Sequence, residues 1–131
     1  MKLANTIIYY ADSNQLHPFL LRQELESVCP QIQVNCFNNT DGLVNQLMQQ
    51  AMYLEESTHQ HVLLIDADLP DIETSSLEEL IRHQFVKLKT YLVFTDASRI
   101  TECKTDWLSG FLRKPVTAEL VQNVCGLVCN N

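Results

Sequence analysis

The chain has 131 residues, 46% hydrophobic and 19% charged, a balance that suits one globular domain over residues 1–131 and excludes a disordered tail. Its formal net charge of −7, with the acids spread along the sequence, excludes a surface built to hold nucleic acid or an anionic membrane. The amino terminus leads into a short apolar run, too short for a signal-peptide core, and no window approaches a membrane span, so a cytoplasmic location is expected.

Thr6-Ile7-Ile8-Tyr9-Tyr10 is β-branched and aromatic and predicts a first strand, closed by the turn cluster Ala11-Asp12-Ser13-Asn14. From His17 to Val28, Phe19, Leu20, Leu21, Leu25 and Val28 recur at helical spacing, with Pro18 suited to the first turn. Gln31 to Phe37 alternates polar and apolar residues, which predicts a strand with one wetter face, near a sheet edge. Asn38 to Gly42 leads into a second amphipathic helix carrying Leu43, Leu47, Met48, Ala51, Met52 and Leu54, and Glu55 to Gln60 is a polar connection.

His61-Val62-Leu63-Leu64-Ile65-Asp66 runs four aliphatic residues straight into a carboxylate, the pattern of a strand buried on both faces. Asp66 stands at its carboxyl end, Asp68 follows two residues on, and Pro70 stops the ladder. Ser75 or Ser76 can cap the next helix, with Ser76 and Glu79 matching a capping box ahead of Leu80, Ile81 and Phe85. Thr90 to Thr95 is a fourth buried strand, and a polar segment follows from Asp96 to Trp107. Gly110 to Arg113 is a short fifth strand ended by Lys114-Pro115, and Thr117 caps a last helix carrying Leu120, Val121, Val124, Leu127 and Val128.

Strands alternating with helices imply an α/β fold: a parallel sheet covered on both faces by right-handed crossovers, in three α/β/α layers. The doubly wound five-stranded, flavodoxin-like arrangement is its natural closure. The five cysteines (Cys29, Cys36, Cys103, Cys125 and Cys129) lack CxxC spacing and are expected as reduced thiols. His17, His59, His61 and His83 are scattered without metal or catalytic spacing and are read as surface or ordinary residues.

In such a sheet ligands bind outside the carboxyl ends of the strands. The polar residues at those exits are Asp12, Asp66 with Asp68, Thr95 with Asp96, and Lys114. Carboxylates brought together repel unless a cation lies between them, and hard oxygen donors without Cys or His favour Mg²⁺. A lysine and a hydroxyl beside them suit a phosphoryl group, which a carboxylate can itself accept.

The strand-end Asp66-x-x-x-Pro70, with Asp12, Thr95 and Lys114-Pro115 in order, resembles the receiver domains of two-component response regulators. The resemblance runs from about Thr6 to Val128. It implies that Asp66 takes a phosphoryl group from a histidine kinase or phosphotransfer protein. It implies that Asp12, Asp66 and the backbone carbonyl of Asp68 hold Mg²⁺. Thr95 and Lys114 would contact the phosphoryl group, and Phe111 would be the switch aromatic. The face that changes would be the fourth helix, fifth strand and fifth helix of the predicted order: Ser98 to Trp107, Gly110 to Arg113 and Thr117 to Val128. A downstream protein would read that face, and a homodimer through it is left open. No enzymatic activity is implied beyond transfer to, and hydrolysis from, Asp66 itself.

Three positions depart from the family pattern. Ala11 stands where a second acid usually precedes Asp12, Asp96 follows Thr95 where a small residue is usual, and Thr74 stands at the offset of a glycine. Ala11 and Asp96 motivate an alternative, a pseudo-receiver that binds proteins without phosphorylation. A flavin- or nucleotide-binding protein of the same fold is a third reading, opposed by the lack of a glycine-rich loop after the first strand.

Overall fold

A computed structural model describes residues 6–29, 32–50, 60–69, 77–85, 88–96 and 106–125. Strands β1 (Thr6–Ala11), β2 (Ile32–Phe37), β3 (Gln60–Asp66), β4 (Lys89–Phe94) and β5 (Gly110–Arg113) alternate with helices. The helices are α1 (Leu16–Val28), α2 (Thr40–Gln49), α3 (Leu77–His83) and α4 (Ala118–Cys125). All strand pairs are parallel, in the order β2-β1-β3-β4-β5, the doubly wound flavodoxin-like arrangement. The chain reverses its direction of winding between β1 and β3, so a crevice opens beyond their carboxyl ends.

Side-chain alternation divides the interior in two. On β1 and β3, Ile8, Tyr10, Val62 and Leu64 face α1 and α4, where they meet Leu21, Leu25 and Val121. Ile7, Tyr9, Ala11, Leu63 and Ile65 face α2 and α3, where they meet Leu43, Leu47, Leu77 and Ile81. Both central strands are therefore buried on both faces, as the aliphatic run ending at Asp66 predicts. β2 shows a buried–exposed alternation and lies at one sheet edge, and β5 at the other edge has exposed residues either side of buried Leu112.

Several local details differ from expectation. On α1 the buried residues are Pro18, Leu21 and Leu25, whereas Phe19, Leu20 and Val28 are exposed. Phe19 and Leu20 lie off the i, i+3, i+7 stripe that meets the sheet. Helix α2 begins at Thr40, because the Asn39 side chain caps it by accepting the Gly42 N–H at 2.7 Å. Of the residues expected on its buried face, Leu43 and Leu47 are buried and Met48 is exposed. His61 is buried rather than superficial, its Nδ1 lying 3.3 Å from the Tyr9 hydroxyl. Cys29 is disulfide-bonded, through a partner outside the described side chains, so the expectation of five reduced thiols does not hold there. Cys36 is a free thiol. Pro70, Thr74 and the Ser75–Ser76 cap lie outside the described residues, as does most of the helix expected from Ser98 to Trp107. Among the described residues no helix is long and apolar enough to cross a membrane.

Candidate functional site

The strand registers set the exits in two tiers. Ala11 pairs with Ile65, so Asp12 and Asp66 follow at one level. Asp66 pairs with Val93 on β4, and Phe94 pairs with Arg113, so Thr95 and Lys114 stand about two residues, roughly 6–7 Å, further out. Backbone bonds beyond the strands hold these exits: Asp12 N–H donates to the Phe37 carbonyl, Ala67 N–H to that of Val93, and Lys114 N–H to that of Phe94. The Gln15 amide ties the β1 exit to β2 by donating to the carbonyls of Asp12 and Phe37.

Sequence parity puts Asp12 and Asp66 on the side of the sheet that carries Tyr10 and Leu64. Both acids are buried, at 0% and 2% exposure, too little for water to screen their charge. The Lys114 side chain reaches back from the outer tier, and its Nζ lies 3.0 Å from Asp12 Oδ2 and 3.3 Å from Asp66 Oδ1. One ammonium thus bridges two buried carboxyls, in place of a cation between them. Further donors reach both Asp12 oxygens and Asp66 Oδ1. Asn14 N–H donates to Asp12 Oδ1 at 2.9 Å, the Tyr10 hydroxyl to Asp12 Oδ2 at 3.2 Å, and Asp68 N–H to Asp66 Oδ1 at 3.2 Å.

Burial acts to raise the pKa of both acids. At Asp12 the Asn14 N–H, Lys114, His17 and the Asp66 carboxyl outweigh burial and hold the group below the usual carboxylate value. At Asp66 burial prevails, reinforced by the negative charge of Asp12 and only partly offset by the Asp68 N–H and Lys114, so its pKa is raised. Asp12 is the ionised member and Asp66 the one that retains a proton longer. Burial, and then the charge of Asp12, also push the Tyr10 phenol well above its ordinary value, so it remains a donor. Two carboxyls are the oxygen donors that would hold a hard divalent cation, but among the described residues no group of three or more His, Cys, Asp or Glu could hold a metal ion, and the Lys114 ammonium supplies the positive charge between the acids.

Of the residues singled out in the sequence, the fold brings Asp12, Asp66 and Lys114 into direct contact. Asp68 sits in the turn beyond Asp66 with its side chain exposed. Thr95 and Asp96 are exposed at the β4 exit, where Arg113 donates to the Thr95 carbonyl at 3.2 Å. Phe111 is exposed on β5. Ala11 is fully buried among the α2 and α3 residues and brings no oxygen to the site.

His17 was read as an ordinary residue, and the fold corrects this. Its Nδ1 lies 3.0 Å from Asp12 Oδ2 and 3.1 Å from Lys114 Nζ. Its only advance signal was its place in the first turn after Asp12. A cleft of about 280 Å³ opens beside it, lined by Tyr10, Leu20, Thr95 and Lys114 to Val116. Glu24, two turns further along α1, accepts the Ala118 N–H at the start of α4, and Thr117 Oγ1 accepts the Leu120 N–H at 3.2 Å as that helix's expected cap.

No family model matches the chain. No curated protein matches it in sequence. Solved structures do match. A response regulator receiver protein from Burkholderia phymatum superposes with a TM-score of 0.71 at 14% identity, over 96% of this chain and 99% of the other. A two-component response regulator from Cytophaga hutchinsonii gives 0.71 at 17% identity, over 95% and 96%. The response regulator TrrA from Thermotoga maritima, solved in complex with Mg²⁺–BeF, gives 0.66 at 15% identity, over 94% and 98%. The five parallel strands, their order and these superpositions give the chain the fold of response regulator receiver domains.

Proposed function

We propose that the chain is the phosphoacceptor receiver of a two-component signalling system. The observation that carries this reading is the Lys114 ammonium held 3.0 Å and 3.3 Å from two buried carboxyls at the reversal point of the sheet. In this reading an Asp66 oxygen attacks the phosphorus of a kinase's or phosphotransfer protein's phosphohistidine. The P–N bond breaks and the imidazole departs with its electron pair. Asp12, Asp66 and the carbonyl of Asp68 hold Mg²⁺, which offsets charge building on the phosphoryl oxygens. Lys114 leaves its bridging position to pair with the new phosphoryl group. Thr95 moves in to donate its hydroxyl, and Phe111 turns inward behind it. The face formed by the Ser98 to Trp107 segment, β5 and α4 is then repopulated toward a form that a downstream protein binds. In this reading the chemistry is limited to forming and hydrolysing the acyl phosphate at Asp66.

The test is incubation with Mg²⁺ and acetyl phosphate, or with beryllium fluoride, followed by intact mass and Trp107 fluorescence. A single phosphoryl adduct, absent from Asp66→Asn, is the expected outcome. No adduct and no fluorescence response in the unaltered protein overturn the reading. They would favour instead the pseudo-receiver, for which Ala11 and the exposed acid at Asp96 are the specific observations.

A further inference from the structure

We infer that the Cys29 disulfide closes on Cys125, and that this bond is a redox-sensitive staple between the end of α1 and the end of α4. The inference rests neither on cation binding nor on phosphoryl transfer to Asp66.

Elimination narrows the partner. Cys29 is disulfide-bonded and Cys36 is a free thiol, so the second sulfur belongs to Cys103, Cys125 or Cys129. Cys29 is buried on the α1 side of the sheet, in one cluster with Leu21, Leu25, Ala118 and Val121. Cys103 belongs to the connection from β4 to β5. The step from β4 to β5 continues the direction of the step from β3 to β4, whose helix α3 packs on the opposite face. A crossover of the same right hand puts the β4–β5 connection on that opposite face as well, and Trp107 at its end packs there. The sheet therefore stands between Cys29 and Cys103.

Register along α4 decides between the remaining two. Ala118 and Val121 bring α4 into the cluster that holds Cys29, and Cys125 continues their stripe at i, i+3, i+7. Depth agrees. α1 and α4 each run back from the carboxyl edge of a parallel sheet, so they point the same way. The Glu24 carboxylate accepts the Ala118 N–H and fixes their relative height. Cys29 lies about 7.5 Å of helical rise beyond Glu24, and Cys125 about 10.5 Å beyond Ala118. The difference of about 3 Å is what a glutamate side chain spans by leaning toward its helix N-terminus. Cys129 would stand about 6 Å further along, past the end of α4, whereas bridged Cα atoms lie within about 7 Å of each other. One end of the staple is firmly seated. Cys29 N–H donates to the Leu25 carbonyl at 2.7 Å, and the Cys29 carbonyl accepts the Ile32 N–H at 3.0 Å, between α1 and β2.

Closing the staple joins the two sulfurs and passes two protons and two electrons to a second disulfide, which becomes two thiols; a dithiol reverses the exchange. The bond encloses most of the chain, so opening it releases the unfolded state from a long loop and should lower the melting temperature by roughly 10 °C. The test uses the full chain purified without reductant. Peptide mapping of the unaltered protein, cut with chymotrypsin after Leu127, should link Cys29 to Cys125 and leave Cys129 unlinked; this result needs no variant to fold. Thiol titration of the unfolded chain should find three of the five cysteines free. Cys125→Ser should free Cys29, whereas Cys129→Ser and Cys103→Ser should leave the bond in place. Reduction with dithiothreitol should lower the melting temperature and speed amide exchange most in Ala118–Cys125. Cys29→Ser should show both changes before dithiothreitol and no further response to it. Five free thiols, a link from Cys29 to any other cysteine, or a bond that survives Cys125→Ser overturns the pairing. A melting temperature and an exchange pattern unmoved by reduction overturn the staple.

Discussion

The two tiers of the strand exits differ in kind. In the inner tier, Asp12 and Asp66 are buried and share one ammonium at 3.0 and 3.3 Å. In the outer tier, Thr95, Asp96 and Phe111 are exposed, and the contact that steadies Thr95 is one bond from Arg113 to its carbonyl, leaving its side chain to move. The inner tier holds its charges buried and bridged; the outer tier is the part that the proposed receiver reading requires to move. Lys114 belongs to both, with its backbone outside and its ammonium inside.

The largest effect should come from cutting that link. Lys114→Met removes the positive charge from two buried carboxyls, and unfolding in urea without metal should lose about 3 kcal/mol or more. Saturating divalent cation should restore part of the loss, because it supplies the missing charge. Equal loss with and without cation would show that the lysine acts by packing alone.

A change of opposite sign is expected at Asp66. Its folded pKa is raised, so folding disfavours its ionised form. That cost is absent below the ordinary carboxyl value of 3.8, where the group is protonated folded or unfolded, and it grows as pH rises through the folded value. Asp66→Asn should therefore raise the metal-free melting temperature at neutral pH, with a gain that shrinks toward about pH 4. Melting curves across that range check it, and a gain independent of pH would break the assignment of Asp66 as the proton-retaining member.

The smallest effect on stability should fall in the outer tier. Thr95→Ala should shift unfolding by no more than about 0.5 kcal/mol, as surface substitutions do. It should nevertheless remove the Trp107 fluorescence response to beryllium fluoride. If both quantities move together, the distinction between the tiers fails.

The inner acids were legible in the sequence because their signal is local. An apolar run ending in Asp66, and a strand ending before Asp12, mark strand exits without any knowledge of neighbours. The edge position of β2 was legible for the same reason, from its alternation. His17 was not, because its role depends on a lysine 97 residues away. Phe19 and Leu20 show a related limit: helical spacing reveals that an apolar stripe exists, while the sheet decides which residues it covers. The disulfide at Cys29 escaped because composition bears on the redox setting and says nothing about which sulfurs meet.

The same 97-residue separation between His17 and Lys114 bears on how the molecule folds. Closing so long a stretch of chain carries an entropic cost that no local contact repays, and contacts of this kind form late. The Glu24 bond to the start of α4 spans a comparable distance between the first and last of the described helices. The Lys114 bridge to Asp12 is thus a property of the completed sheet and should form late in refolding.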